Sequence, residues 1–324
     1  MLSKALLSAA SADPSVLVGD VFSTSLYTGT GSAQTITNGI DLAGKGGMVW
    51  LKARYTSSDY GVFDTTRASD YLRTNGTNAQ AAGAITSFNS NGFSLAASAS
   101  PDSNSNTGTY ASWTFRKQPK FFDAVTYTGD GTSGRSIAHN LGSVPGCIII
   151  KSLNIGSWYV WHKNYTGAGL YLNDFAVYPG DTPGFNTTQS SAVIVLSTST
   201  VLNISAAGYV AYLFAHEAGG FGPNATDNAI SCGSFTTDGS GNGSYTPNFS
   251  STQWLMLKNT SSFGDWEIYD TQRTPAWSSS DARLRPNLAN AEDTVTRLSA
   301  SGSTLNFTNL ANNVTYAIIA VAAP

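Results

Sequence analysis

The sequence predicts an all-β chain of three tandem β-sandwich-like repeats of one duplicated domain, preceded by a short N-terminal arm. Three observations predict it. An apolar run ending in lysine occurs three times, as MVWLK at Met48–Lys52, CIIIK at Cys147–Lys151 and WLMLK at Trp254–Lys258, with steps of 99 and 107 residues between the lysines. That period is the size of a small domain and far longer than a solenoid unit. The apolar pieces are rich in Val, Ile, Tyr, Phe and Trp, and helix-forming Glu and Lys are scarce. Turn signals such as Asn38-Gly39, Asn75-Gly76 and Asn91-Gly92 arrive at the spacing of short strands.

Taken in order, residues 1–16 read as an anchoring arm. Lys4, Leu6-Leu7 and Ala10-Ser11-Ala12 have the look of a secretory leader, but the apolar core is shorter than the roughly 7–15 residues such a leader uses. The expectation is instead that Leu2, Leu6 and Leu7 bury themselves on another molecule. Residues 17–120 form the first repeat, 121–228 the second with its linker, and 229–324 the third. After each lysine comes an aromatic strand: Tyr60–Asp64, Trp158–His162 and Trp266–Asp270. A short leucine segment follows at Leu72–Asn75, Tyr171–Asn173 and Leu284–Asn287, then a Ser/Thr/Asn-rich hairpin, then a closing strand at Tyr110–Phe115, Tyr209–Phe214 and Tyr316–Val321. Runs such as Cys147–Ile150 lack polar alternation, which predicts strands buried on both faces. The joint Arg116–Lys120 is short and stiff; His216–Asn228 is glycine-rich and either flexes or lies along the surface. Helix is expected only in the arm and over Asn287–Thr294, where an asparagine offers a cap.

Charged residues make up 11% of the chain and the formal net charge is −3. Such a chain has no basic patch with which to displace counterions, so nucleic acid is not an expected partner. No stretch reaches the roughly 18 apolar residues of a spanning helix. Cys147 and Cys232 lie in different repeats and read as buried free thiols.

Candidate chemistry is sparse. His139, His162 and His216 stand in no nucleophile elbow and in no metal-ligand spacing, so no catalytic, metal or cofactor-binding residue is expected, and the protein is not expected to be an enzyme. Asp64 and Asp270 occupy equivalent positions where the second repeat has His162, which points to a structural slot. Their partners in the Asp-x-x-Arg pattern, Arg67 and Arg273, either fold back on the aspartate or reach toward an acidic glycan. Asp238-Gly-Ser-Gly-Asn-Gly243 resembles half of a calcium loop but lacks its closing glutamate, Phe249 standing there. Trp158, Tyr159 and Trp161 put aromatics on both faces of one strand. One face recurs in all three repeats as a core face does; the other is a candidate for stacking on sugar.

The strings Thr109–Lys151 (TYASWTFRKQPKFFDAVTYTGDGTSGRSIAHNLGSVPGCIIIK), Tyr209–Gly222 (YVAYLFAHEAGGFG), Ile230–Gly243 (ISCGSFTTDGSGNG) and Ala282–Glu292 (ARLRPNLANAE) resemble a family of repeat-containing virion proteins of tailed bacteriophages, especially marine and cyanobacterial ones, most of them uncharacterised and described only as hypothetical, tail or tail-fibre proteins. The resemblance covers most of the chain. It implies a virion location, in the tail rather than the head, and a structural role in a tail appendage contributing to host attachment, with other virion proteins held through the arm and a host surface glycan as a further partner. A homo-oligomer is expected, a trimer being compatible with virion symmetry. The alternatives are a head-decoration or baseplate protein, and a glycan-binding or depolymerising module.

Overall fold

The computed structural model describes residues 15–97, 100–179, 184–198, 201–277 and 280–324. The chain is almost entirely β, and its strands fall into three large antiparallel sheets, each faced by smaller ones. In the first, strand Phe22–Thr28 pairs with Thr109–Arg116, which pairs with Gly47–Ala53, then Gly61–Asp64, Asp70–Leu72 and Ala81–Ala82. In the second the order is Phe122–Thr128, Gly208–Phe214, Cys147–Ser152, Trp158–His162, Tyr165–Tyr171 and Val177–Pro179. The third runs Ile230–Thr236, Thr315–Ala322, Thr252–Asn259 and Trp266–Asp270, and an isolated bridge from Ile268 to Leu284 continues it. We call the three sheets with their facing strands the first, second and third units.

Register matches from unit to unit. Lys52, Lys151 and Lys258 lie opposite Ala111, Val210 and Ala317, each one residue after the tyrosine of its closing strand. Those tyrosines stack on the lead strand, Tyr110 on Tyr27, Tyr209 on Tyr127 and Tyr316 on Phe235. Their hydroxyls accept the N–H of Ser105, Ile204 and Ala311, fastening the loop before each closing strand. The turn after the lead strand passes so close to this loop that a Cβ at Gly29 or Gly129 would lie 2.2 or 2.0 Å from a backbone oxygen.

The lysine-ended strands are buried along their whole length on both faces. Outward, Val49 and Leu51 pack with Ile36, Ile85 and Phe93 of the first unit's small sheet, and Leu255 and Leu257 pack with Leu298, Leu305 and Phe307 of the third unit's. This is sandwich-like layering. Inward, Met48, Trp50, Trp113 and Phe115 of the first unit meet Cys147, Ile149, Tyr212 and Phe214 of the second and Trp254, Met256, Ile319 and Val321 of the third in one central core. Phe115 is its hub, with ring contacts to Phe22, Phe121, Phe122, Phe214 and Trp254 at 4.7 to 6.1 Å. The absence of alternation in the sequence thus has a simple cause: every central strand has a layer in front and a layer behind.

The helix expectation is corrected. Asn287–Thr294 is not helical: Asn287 is turned inward, donating to Asp265 and accepting the N–H of Trp266, and Asp293–Val295 pairs as a strand with Asp281–Arg283. A single-turn helix forms instead at Leu42–Lys45, where Asp41 accepts the N–H of Gly44 at 2.8 Å. The second joint lies along the surface, with Phe221 inserted in the core and Gly222 donating to the carbonyl of Val16.

Candidate functional site

The polar residues singled out in the sequence converge on the seams where one unit meets the next. In each aromatic strand the residues facing the centre are Tyr60, Val62 and Asp64; Trp158, Val160 and His162; and Trp266, Ile268 and Asp270, so the slot residues lie opposite Met48, Cys147 and Trp254. At the seam of the first and second units Asp64 accepts the Tyr212 hydroxyl at 2.6 Å and Arg67 Nε at 2.7 Å. At the seam of the third and first, Asp270 accepts Trp113 Nε1 at 2.9 Å and Arg273 Nε at 2.6 Å. Tyr212, Trp113 and Ile319 are equivalent in register, opposite Ile149, Trp50 and Met256.

That equivalence explains the histidine. Isoleucine offers no donor, so a carboxylate facing Ile319 would be buried without its cross-seam bond, at a cost of several kcal/mol. His162 instead donates from Nε2 to the carbonyl of Ile318 at 3.3 Å and accepts the N–H of Asn164 on Nδ1. This bonding fixes one neutral tautomer, and burial pushes the imidazole pKa down to about 4.

The seams share a second set of bonds. Ser58, Gly156 and Gly264 donate their N–H groups to the carbonyls of Ala289, Thr77 and Phe175 of the neighbouring unit at 2.8, 2.9 and 3.0 Å. Asn75, Asn173 and Asn287, each two residues before its acceptor, hold the strand N–H of Tyr60, Trp158 and Trp266 through Oδ1. Trp158 and Trp266 donate Nε1 to Arg73 and Tyr171 of the preceding unit, at 2.7 and 2.9 Å.

All three period-marking lysines are fully buried, and among the described residues no carboxylate lies within ion-pairing distance of them. Lys52 and Lys151 donate Nζ to carbonyls of their own following loops, whereas Lys258 donates to Gly264 at 2.6 Å and, across the seam, to Phe175 at 2.7 Å. Burial lowers each ammonium to a pKa of about 8. Lys258→Met, which keeps the stem and removes the donors, is therefore expected to destabilise the fold by about 1–3 kcal/mol, and more than Lys52→Met, because only Lys258 ties two units. Urea melts of the two variants check this.

Arg273 and Arg67 are alike but unequally satisfied. Burial weakens the Arg273 charge, and Asp270 and Glu292 more than restore it. Its Nη1 reaches Glu292 at 3.1 Å, and Glu292 pairs onward with Arg54 of the first unit at 2.7 Å. Glu292 N donates to Arg54 O across that seam, as Gln80 N donates to Leu153 O across the next. Arg67 Nη1 and Gln80 Oε1 are both buried without a partner among the described residues. Gln80→Glu should therefore reproduce the Arg273–Glu292 contact and raise stability by about 0.5–1.5 kcal/mol, read as a shift in the denaturation midpoint.

These placements decide what each candidate can touch. Trp158 is 1% exposed and Trp161 7%, so neither ring is presented to a sugar, while Tyr159 is half-buried beside Tyr171. The Arg67 and Arg273 side chains are 2% and 0% exposed, folded onto their aspartates. Leu2, Leu6 and Leu7 lie outside the described residues. Asp238 accepts the N–H groups of Ser240 and Asn242 in its own turn. Among the described residues no group of three or more His, Cys, Asp or Glu is arranged to hold a metal ion. Cys147 and Cys232 are buried free thiols.

Sequence reasoning missed a network on the third unit. Arg283 bridges Glu267 and Asp293, Arg285 reaches Asp293, and Arg297 reaches Glu267 at 3.3 Å. The signal was available in the alternation of Arg283 and Arg285. Two carboxylates flank one guanidinium here, yet glycoside hydrolysis needs one carboxyl held protonated. Burial favours that state for Asp293, and the Arg283 bonds override it and hold the group below the usual carboxylate range. Burial does raise Asp281, but its Oδ2 accepts the N–H groups of Arg297 and Leu298 and the residue is fully buried.

The two ends of the body differ. One gathers the start of the described chain, the second joint and the last residues around a cavity of about 640 Å³ lined by Leu17, Asp20, Phe221, Asn248, Phe249 and Pro324. The other carries the loops after the lysines, with Tyr55, Ile155, Phe175, Ile204 and Phe263 exposed.

Residues 18–315 match the family model for a domain of unknown function, DUF7483. The chain belongs to the DUF7483 family. No curated protein matches it. The matched span of this DUF7483 chain begins at the cavity wall and ends at the first residue of the strand Thr315–Ala322, so it reaches into all three sheets.

Proposed function

We propose that this protein is a structural component of a bacteriophage virion, a tail-appendage protein that contributes to host attachment. The observation that carries the reading is the contrast between the body's ends. Polar side chains of the kind that perform chemistry are engaged inside the seams, while most of the exposed large apolar side chains, Leu17 and Val144 excepted, lie at the end away from the joints. A group of such side chains on a soluble surface marks a contact face. The family resemblance supplies the setting. The arm Met1–Asp13 is assigned to the particle, and the loops bearing Ile155, Phe175 and Phe263 to the host surface.

Two experiments separate these roles. A chain lacking Met1–Asp13 should remain folded and be missing from purified particles; incorporation at the wild-type level would refute the arm's role. Ile155→Ser with Phe263→Ser should leave incorporation unchanged and slow adsorption of particles to host cells, whereas unchanged adsorption would remove the loops from the reading.

A further inference from the structure

The seams point to an inference about assembly that does not depend on the virion reading. Each unit presents a slot-and-leucine side (Asp64 and Thr77; His162 and Phe175; Asp270 and Ala289) to the closing strand and post-lysine loop of the next unit (Tyr212 and Gly156; Ile318 and Gly264; Trp113 and Ser58). The third such contact returns to the first unit. A heterologous interface that returns to its origin after three steps is a closed ring, and a closed ring has no free copy of either face. Only two of the three contacts join units that follow one another in sequence, yet the third has the same slot contact and the same N–H-to-carbonyl bond, and where Tyr60 replaces the tryptophan it is reinforced by Arg54–Glu292 and by Thr74 Oγ1 donating to Pro286 at 2.7 Å.

We propose that the seam is one recognition surface used three times within a single chain, so that one copy is the equivalent of a homotrimer and is monomeric in solution, its unit-to-unit surface already saturated. The homotypic partner that this surface recognises is another unit of the same kind. Any contact with a further copy or another protein must use other surfaces, such as the two ends.

Light scattering on the full chain, from low to high micromolar concentration, tests this directly. A mass of 33.9 kDa throughout is expected; a stable trimer would overturn the proposal. The strength of the seams is tested separately by placing a protease site between Pro223 and Asn224, in an exposed stretch of the second joint. After cleavage the third unit is held by its two seams and by the bonds of the joint itself, such as Glu217 N–H to the Ile230 carbonyl and the bridge between Phe221 and Asp227, which Glu217→Pro with Asp227→Pro would break. Both pieces are expected to elute together at the uncut position and to separate only in denaturant, and separation in native buffer would equally overturn the idea.

Discussion

Asp270→Ala is expected to cost about 3–5 kcal/mol of stability, among the largest losses available from one polar substitution in this protein. The carboxylate accepts Trp113 Nε1, Arg273 Nε and the Arg273 N–H, and its side chain is fully buried. Removing it leaves Trp113 Nε1 without an acceptor and a buried guanidinium dependent on Glu292 and the carbonyl of Ile268. Both penalties fall on the one seam that no sequence-adjacent joint spans, so the loss appears in the equilibrium midpoint with little change of slope. Trp113→Phe, which keeps an aromatic ring but loses the donor and part of the buried indole volume, should cost about 2–4 kcal/mol. A double-mutant cycle between Trp113 and Asp270 isolates their coupling. A cost for Asp270→Ala below about 1 kcal/mol would mean the seam relaxes around a lost charge, contrary to the close packing of the central core.

Acidification is the second large effect. His162 is neutral in the fold, its pKa pushed down from an ordinary 6.5 to about 4 by burial, with Lys163 and His216 adding to the shift. The unfolded chain therefore binds a proton in the window from about 6.5 to 4 that the folded chain refuses. Stability must fall as the pH falls through that window, by about 3 kcal/mol for this one residue. His139 and His216, also lowered by burial, act in the same direction, and Asp281, raised by burial, opposes them. In structural terms protonation of Nδ1 removes the acceptor for Asn164 and sets a cation beside the carbonyl of Ile318. His162→Gln, neutral and still able to donate, should flatten much of the stability profile between pH 6.5 and 4 in urea titrations. An unchanged profile would place the sensitivity elsewhere.

How far the sequence could be read depends on how local each cause is. The all-β class was legible because strand-forming residues and turn signals act over a few positions, and burial on both faces because Cys147–Ile150 and its counterparts carry no alternation. The slot nature of Asp64, His162 and Asp270 was legible from their common position. Their partners were not: Tyr212 lies 148 residues from Asp64 and Trp113 lies 157 from Asp270, and nothing local to either residue announces the bond. The helix expected over Asn287–Thr294 failed for a related reason. A capping asparagine and a lattice-building asparagine look alike in sequence, and here the bonds to Asp265 and Trp266 prevail. Trp158 was readable as a core residue from the face it shares with Val160, but Trp161 on the other face was not readable as enclosed, because the layer that covers it comes from distant parts of the chain.

The pairing of each lead strand with its closing strand bears on how the chain comes to be folded. Phe22 waits for Phe115, Phe122 for Phe214 and Ile230 for Val321, so no large sheet can close until some ninety further residues have left the ribosome. Such long loops slow nucleation, since their entropy is lost before the strand bonds form. Trp113 then remains without its acceptor until the third unit is made. During synthesis the early units carry an open, sticky flank, which makes the interval before the last unit emerges the time of greatest exposure to aggregation.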